Sequence, residues 1–331
     1  MSADDDRALS IVEPPTDTTP TLLPEELARA RRYAAASKAE STRDKYERAW
    51  SDFRAWCHAR GHEPLPAHPV VVAAYLSFEA DRGMSPSAIQ VKLAAVAWVH
   101  KRAGRQPPQR TEQGVAISDV MSGIRRSHGK PPNRKAAADG DIMRDVIQAI
   151  QGDGLREVRD RALLAFGMAS AMRRSELVAL DMADIARGLR GLRVTIRRSK
   201  TDQEGKGVTI AVPEGRRLRP VARLQEWIER AGIADGPLFR RLSNAGDQVL
   251  SEPMSDRSVA RVVQARVVAV GLDPKDFAGH SLRAGFLTSA ARAGASIFKM
   301  REVSRHKTVQ VLADYVRDAK IFDDHAGEGF I

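Results

Sequence analysis

The chain has 331 residues, of which 43% are hydrophobic and 29% are charged. This length and composition are typical of a globular protein with two domains, each able to bury a core of its own. Cys57 is the single cysteine, which excludes an intrachain disulfide framework and a cysteine-based zinc site. No apolar run could span a bilayer, and the acidic first residues do not have the form of a signal peptide, so we expect a cytoplasmic protein.

The formal net charge is +11. An excess of this size suggests a polyanionic partner, and nucleic acid is the usual one. The first 24 residues are acidic and rich in Asp, Thr and Pro, so we expect them to be disordered. The basic excess therefore lies further along the chain.

Apolar residues at helical spacing predict an all-α domain over residues 37–127. It follows a segment, residues 1–36, that is predicted to be a disordered N-terminal tail with one short helix at 27–35. We expect Ser41 and Thr42 to cap the next helix, whose aromatic face is interpreted as core packing. That face holds Tyr46, Trp50, Phe53 and Trp56. Further helices are predicted at 70–80, from the Ser85-Pro86 pair onward, and at 117–126.

Residues 128–137 are predicted to form a linker, because Gly129, Pro131 and Pro132 oppose regular structure. Five cations crowd this segment and the helix end before it: Arg125, Arg126, Lys130, Arg134 and Lys135. A solvated loop would show the same composition. A basic, extended linker is also what a chain needs to cross a DNA backbone, so these five are candidate DNA contacts.

The second block, residues 138–331, is predicted to be mostly helical with one exception. Apolar and polar residues alternate over 192–196 and again over 208–212, which predicts the two strands of a β-hairpin. Lys200 then falls on the turn between them. The predicted fold class is mainly α with a small β-hairpin or sheet.

Three segments of the second block carry residues suited to phosphate chemistry. They are SAMRRSELVAL at 170–180, GHSLRAGFLTSAARAG at 279–294 and SRHKTVQVLADYVR at 304–317. With Lys200 they supply an arginine box, a hairpin lysine, an H-x-x-R box, a later histidine and a tyrosine. In this order the chain resembles the tyrosine recombinases, or phage integrase family, from about residue 37 onward. H-x-x-R alone is a weak motif, whereas five ordered elements are a strong one.

Some short sequence segments, such as HKRAG at 100–104, are similar to those of Cre-like members of the family. Two positions depart from the family pattern. Ser170-Ala171 stands where Thr-Gly is usual, and His306 stands where Cre-like members have Trp, although most of the wider family has His. The second departure does not put activity in doubt.

The resemblance implies a nucleoid-associated, site-specific DNA recombinase shaped as a two-domain, C-shaped clamp. The helical core-binding (SAM-like) domain would be 37–127 and the catalytic domain 138–331. The implied substrate is double-stranded DNA with an inverted-repeat recombination site, held by a homotetramer on two sites that exchanges strands through a Holliday junction. No ATP, metal or other cofactor is implied, and no membrane partner. The apolar last residues, 319–331, would dock into a neighbouring protomer.

The resemblance also implies a role for each candidate catalytic residue. Arg173 and Arg283 would grip the phosphate, because the guanidinium fork carries a permanent charge and pairs with two oxygens. Lys200 would protonate the leaving 5′-oxygen, and Glu176 would orient local cations. His280 would exchange a proton with the Tyr315 hydroxyl, and His306 would donate a hydrogen bond to the phosphate. Tyr315 would form a 3′-phosphotyrosine, and it is the last of the four tyrosines in the chain.

Each of these residues has a simpler explanation when taken alone. Arg173 could lie on a solvated helix face, the two histidines in surface loops and Tyr315 in a core. A type IB topoisomerase, a telomere resolvase-like enzyme, or a non-catalytic DNA-binding protein on the same fold also stays open. Helix surfaces add further candidate DNA contacts, which are Arg43, Lys45, Gln90, Lys92 and Arg257.

Overall fold

The computed structural model describes residues 23–129, 135–197 and 207–321, apart from the side chains of residues 35 and 36. These residues divide into two compact units, with residues 23–129 in the first and the remainder in the second. Within the described ranges, no helix is both long and apolar enough to cross a membrane.

The first unit is helical over its described residues. Its helices are α1 (Pro24–Ala36), α2 (Glu40–His58), α3 (Pro69–Asp81), α4 (Pro86–Arg102) and α5 (Val115–His128). Helix α4 begins as predicted, since Ser85 Oγ accepts a hydrogen bond from the Ala88 amide at 3.3 Å. The predicted cap of α2 was wrong, because that helix begins at Glu40 and places Ser41 and Thr42 inside its first turn. Helix α5 begins two residues before the predicted start.

Aromatic side chains form the centre of the first core. The Phe53 ring lies 5.0 Å from the ring of Tyr75, and the Trp56 ring lies 5.4 Å from it. All three residues are buried. Tilted ring pairs at these distances are favourable beyond the area that they bury. The interpretation of the aromatic face of α2 as core packing is therefore confirmed for Phe53 and Trp56.

Lys92 is placed differently from its expected position on a solvent-facing helix surface. It is 7% exposed, and its ammonium donates hydrogen bonds to Asp52 at 2.8 Å and to the Tyr75 hydroxyl at 2.9 Å. Glu79, itself buried, lies 3.5 Å away. Burial opposes the charge of Lys92, but its hydrogen bonds to Asp52 and Tyr75 raise its pKa above the ordinary value. The spacing pattern missed this position because a long lysine stem can reach an acidic partner inside a core.

The second unit combines helices with two small antiparallel sheets. Its helices are α6 (Gly140–Ala149), α7 (Leu155–Ala169), α8 (Arg174–Val178), α9 (Pro220–Arg230), α10 (Asp256–Val267), α11 (Ser281–Arg292), α12 (Ile297–Ser304) and α13 (Gln310–Ala319). The first sheet has the order β1 (Ile185–Gly188), β2 (Gly191–Ile196) and β3 (Val208–Pro213). The second pairs β4 (Arg240–Leu242) with β5 (Val249–Pro253).

The predicted hairpin corresponds to β2 and β3. Val194 pairs with Ile210, and both are buried, as the alternating pattern requires. Lys200 falls between the two strands and lies outside the described residues. The expectation that the rest of this unit is helical was wrong for β1, β4 and β5. These strands have three to five residues, too few for an alternating pattern to be recognised.

Helix α7 lies at the centre of the second core. It is buried from Val158 to Met168, and such burial on every side is typical of a helix surrounded by other elements. It packs against α9, where Trp227 is fully buried and donates a hydrogen bond to the Leu238 carbonyl at 2.9 Å. Helix α11 also packs on α7. At Gly285 the chain around Ala138 approaches so closely that a Cβ would lie 1.8 Å from the Ala138 oxygen.

Replacing Lys92 by Ala is expected to destabilise the protein by about 3 kcal/mol, because it leaves the buried Glu79 without its closest cation. Adding Glu79→Gln should recover more than half of that loss. Urea unfolding followed by tryptophan fluorescence measures both changes. Lys101→Ala, an exposed lysine on the same helix, is the control and should change little. Equal effects of the two lysine variants would contradict a structural role for Lys92.

Candidate active site

Arg173 and Glu176 are joined at the start of α8. Arg173 is the residue before the helix, and Glu176 lies at the third helical position. One carboxylate oxygen of Glu176 accepts the Arg173 backbone N–H at 2.9 Å, and the other accepts the Arg173 guanidinium at 2.6 Å. Because Glu176 is only 4% exposed, it fixes both the backbone and the charged end of Arg173.

Arg283 is held by the turn that precedes α8. It lies on the first turn of α11 and is buried, and its Nη1 donates to the Ala171 carbonyl at 2.7 Å. Ala171 has φ 47°, in the left-handed region that glycine adopts without strain. The departure from Thr-Gly at this position therefore keeps the turn, at the expense of backbone strain.

His306 follows α12 and contacts Arg283. Its Nδ1 lies 3.3 Å from Arg283 Nη2 and 2.8 Å from Ser304 Oγ. A guanidinium can only donate, so Nδ1 acts as the acceptor and a neutral ring carries its proton on Nε2. Burial, together with the charges of Arg283, Arg173 and Arg305, lowers the pKa of His306 to about 4. His306 is thus a neutral hydrogen-bond donor at physiological pH.

Tyr315 lies on α13, with its ring against a small apolar cluster of Leu287, Ala291, Met300 and Leu312. Its side chain also lines an open cavity of about 300 Å³. The cavity is lined by Arg173, His280, Arg283, Ala284, Leu287, His306 and Tyr315. His280 is exposed and directly precedes α11. Five of the seven predicted catalytic residues therefore share one cavity, Glu176 contacts Arg173 beside it, and Lys200 lies outside the described residues.

Arg305 is a neighbour of this site that sequence reasoning missed. It lies between α12 and His306, has φ 56°, and donates from Nη2 to Glu176 at 2.5 Å. Although burial raises the pKa of Glu176, the Arg305 and Arg173 guanidiniums hold it below its usual value. A cation directly after a helix end was the available signal, since it can contact the last carbonyls.

The described part of the site carries an excess of positive charge. Three guanidiniums, those of Arg173, Arg283 and Arg305, lie close enough to affect one another, and Glu176 is their shared carboxylate. Burial and the other two arginines lower the pKa of Arg283 to about 9, so it is still charged at neutral pH. Such a site is suited to an oxyanion. Across the three described ranges, no group of three or more His, Cys, Asp or Glu side chains could hold a metal ion.

The candidate DNA contacts are distributed over both units. Gln90 and Arg125 are exposed and adjacent, with Arg125 Nη2 donating to the Gln90 amide oxygen at 3.0 Å. The remaining described candidates are exposed, apart from half-buried Arg43 and buried Lys92: Lys45, Arg126, Lys135 and Arg257. Lys130 and Arg134 lie outside the described residues. Lys92 could reach DNA only by breaking its ion pairs, so we remove it from the candidates.

The His306 imidazole is expected to remain neutral well below its ordinary pKa of 6.5 in the ligand-free protein. Since its folded pKa is lowered, His306 favours the folded state above pH 6.5, and this contribution is lost as the pH falls towards 4. NMR titration of the ring protons, assigned with a His306→Gln variant, measures the midpoint. A histidine in an unstructured peptide is the reference. A His306 midpoint equal to that of an exposed histidine would contradict the burial argument.

Comparisons with known proteins identify the family of the chain. Residues 139–321 match the model of the phage integrase family. The chain is 32% identical to an integrase/recombinase XerD homolog of Selenomonas ruminantium, over 90% of this chain and 87% of that protein. It is 28% identical to the recombinase Cre of Escherichia phage P1, over 82% of this chain and 81% of that protein.

Solved structures show the same fold. The Tn1549 transposon integrase, in complex with transposon right end DNA, matches with a TM-score of 0.58 at 17% identity, covering 88% of this chain and 93% of that one. A lambda integrase dimer bound to a core site matches with a TM-score of 0.56 at 18% identity, covering 89% and 95%. The family match spans more than half of the chain, and the first relative named covers most of it. The chain belongs to the phage integrase family, the tyrosine recombinases.

Proposed function

We propose that this protein breaks and rejoins DNA at specific sites through a covalent 3′-phosphotyrosine at Tyr315. The observation that carries the proposal is the cavity at which two arginines, two histidines and one tyrosine meet. These side chains come from three separate segments of the sequence, and their polar groups meet at one cavity. Their convergence supports phosphoryl transfer over each residue's simpler explanation.

In the proposed step, the Tyr315 oxygen attacks the phosphorus, and the bond from phosphorus to the 5′-oxygen breaks. The products are a 3′-phosphotyrosine and a free 5′-hydroxyl, so no hydrolysis occurs and no ATP is required. Attack by the 5′-hydroxyl of another strand reverses the step and rejoins the DNA. Arg173 and Arg283 stabilise the negative charge that develops on the phosphate oxygens.

The remaining side chains move or donate protons. The neutral His306, with its proton on Nε2, donates a hydrogen bond to a phosphate oxygen. His280 accepts the proton of the Tyr315 hydroxyl as the nucleophile attacks. Lys200 is assigned the protonation of the leaving 5′-oxygen, because a lysine beside several cations can release its proton.

The proposed partner is double-stranded DNA. The net charge of +11 and the exposed pair Gln90 and Arg125 support this assignment, as do the DNA complexes of the similar folds. We assign residues 37–127 to DNA binding, 128–137 to a basic linker and 138–331 to catalysis. Phosphate contacts from the linker would add affinity that depends on salt but not on sequence.

We further propose that the protein acts as a homotetramer on two inverted-repeat sites and exchanges strands through a Holliday junction. The last residues, 319–331, would dock into a neighbouring protomer. Ile321, at the end of the described chain, is an exposed apolar residue that supports this assignment. A neighbouring protomer that covers this side chain would remove its apolar surface from water.

Tyr315→Phe is expected to lower strand cleavage by more than a thousandfold, roughly the scale on which a lost nucleophile acts. The ring keeps its contacts with Leu287 and Leu312, so folding and DNA affinity should be unchanged. The DNA site is obtained by selection with the purified protein. A substrate nicked near the cleavage position then traps the adduct, and mass spectrometry locates it on the peptide that contains Tyr315.

Tyr33→Phe is the matched control, because Tyr33 is an exposed tyrosine of the first unit. It should form the adduct at the wild-type rate. Cleavage that survives in the Tyr315 variant, or an adduct on another residue, would refute the proposal. Relaxation of a plasmid that lacks any selected site would instead indicate a type IB topoisomerase.

A further inference from the structure

We propose that Arg305 is a positioning residue whose guanidinium neutralises Glu176, so that Arg173 keeps its positive charge for the phosphate. This inference rests on the proposed phosphoryl transfer, and it concerns a residue that is not among the seven that line the cavity. Arg305 would act through Glu176 and Arg173 rather than by touching the DNA.

The contacts of Glu176 show why a second cation matters. Its carboxylate accepts the backbone N–H and the guanidinium of Arg173, and it also accepts the guanidinium of Arg305. The side chain of Glu176 is 2% exposed and that of Arg305 is 9% exposed, so water screens this group weakly. With both arginines present, the three side chains carry a net charge of +1. Without Arg305, Glu176 would cancel the charge of Arg173.

Arg305 occupies its position against the local preferences of the backbone. Its φ of 56° lies in the left-handed region, where a side chain is unfavourable. Its buried Nε has no hydrogen-bond partner among the residues that the structure describes. A buried donor without a partner is also unfavourable. Backbone strain of this kind is common at functional sites, where the surrounding structure maintains it.

The ion pair also connects two parts of the cavity wall. Arg305 directly precedes His306, and its Nη1 donates to the Val303 carbonyl at 3.2 Å. Through Glu176 the loop after α12 is thereby tied to the start of α8, which carries Arg173. The buried pair of Arg305 and Glu176 therefore helps to fix two cavity residues: Arg173, which contacts Glu176, and His306, which follows Arg305 in the sequence.

The test separates charge from backbone conformation. Arg305→Gln removes the charge and keeps a side chain at the same φ, whereas Arg305→Lys keeps both the charge and the side chain. Arg305→Gly removes the charge and the backbone strain together. The fourth variant combines Arg305→Gln with Glu176→Gln, so that Arg173 loses the carboxylate that would neutralise it. Glu176→Gln alone is the reference for that double variant.

Adduct formation on the nicked substrate is measured at saturating DNA, and DNA affinity is measured separately. We expect Arg305→Gln and Arg305→Gly to slow adduct formation by about tenfold or more, with DNA affinity within about threefold of wild type. Arg305→Lys should stay within about threefold of the wild-type rate. The double variant should return to within about threefold of Glu176→Gln, because the two residues are coupled.

Two controls exclude simpler explanations. Arg144→Gln removes an arginine of the same unit that pairs with Asp141 and Asp145, and it should leave the rate unchanged. Circular dichroism at the assay temperature verifies that every variant is folded. Loss of the buried ion pair should lower the melting temperature of Arg305→Gln under either explanation. The rate separates them, because a purely structural role would leave the folded double variant as slow as Arg305→Gln.

Titration with inorganic phosphate provides a readout that does not require cleavage. Phosphate should raise the melting temperature of the wild type. The part of this rise that is lost in Arg173→Ala is the part due to phosphate bound at the cavity. Arg305→Gln should lose most of that part, and the double variant should regain it. If the wild type forms no adduct, the proposed function fails while this titration still tests Arg305. If the Arg305→Gln variant binds phosphate as strongly as the wild type and forms the adduct at the wild-type rate, the inference is overturned.

Discussion

A single buried carboxylate organises the site. Glu176 accepts hydrogen bonds from Arg173 and Arg305, and the guanidinium of Arg283 lies close enough to both arginines for their charges to lower its pKa. Three like charges in a poorly hydrated region repel one another, so their arrangement depends on a counter-charge that is itself fixed. Glu176 is fixed by the start of α8, where it also satisfies the first free amide of the helix. Helix formation and charge placement are therefore coupled at one residue.

Two residues with positive φ, Ala171 and Arg305, help to orient the side chains around Glu176. Ala171 directs its carbonyl to Arg283, and Arg305 turns the chain from α12 towards His306. Both lie one or two residues from a cavity side chain, and both hold a conformation that glycine would adopt more easily. The strain is offset by the packing of the large second core, in which α7 is buried on every side. Local strain at a functional site thus depends on stability elsewhere in the unit.

The sequence predicted those features whose cause is local. The hairpin of β2 and β3 follows from alternation at Val194 and Ile210, and the start of α4 follows from Ser85 and Pro86. Features that depend on tertiary contacts were missed. Lys92 is buried because Asp52, forty residues away in the chain, supplies its partner. Arg305 meets Glu176 across 129 residues, and no spacing rule connects the two positions. The candidate catalytic residues were found from their order in motifs, whereas the network that holds them required coordinates.

The charge balance of the site indicates how it would favour a transition state over the bound substrate. Arg173, Arg283 and Arg305 with Glu176 carry a net charge of +2 when His306 is neutral, as its pKa of about 4 requires. In the proposed reaction a phosphodiester brings one negative charge, and the pentavalent phosphorane carries two. In that reaction the net charge of the described residues would compensate the two charges of the phosphorane more fully than the one charge of the substrate. Only such differential stabilisation accelerates a chemical step. A protonated His306 would add a third positive charge and bind the ground state more tightly as well. In the proposed reaction, the burial and the neighbouring cations that keep His306 neutral would leave the positive charge of the site on its guanidiniums.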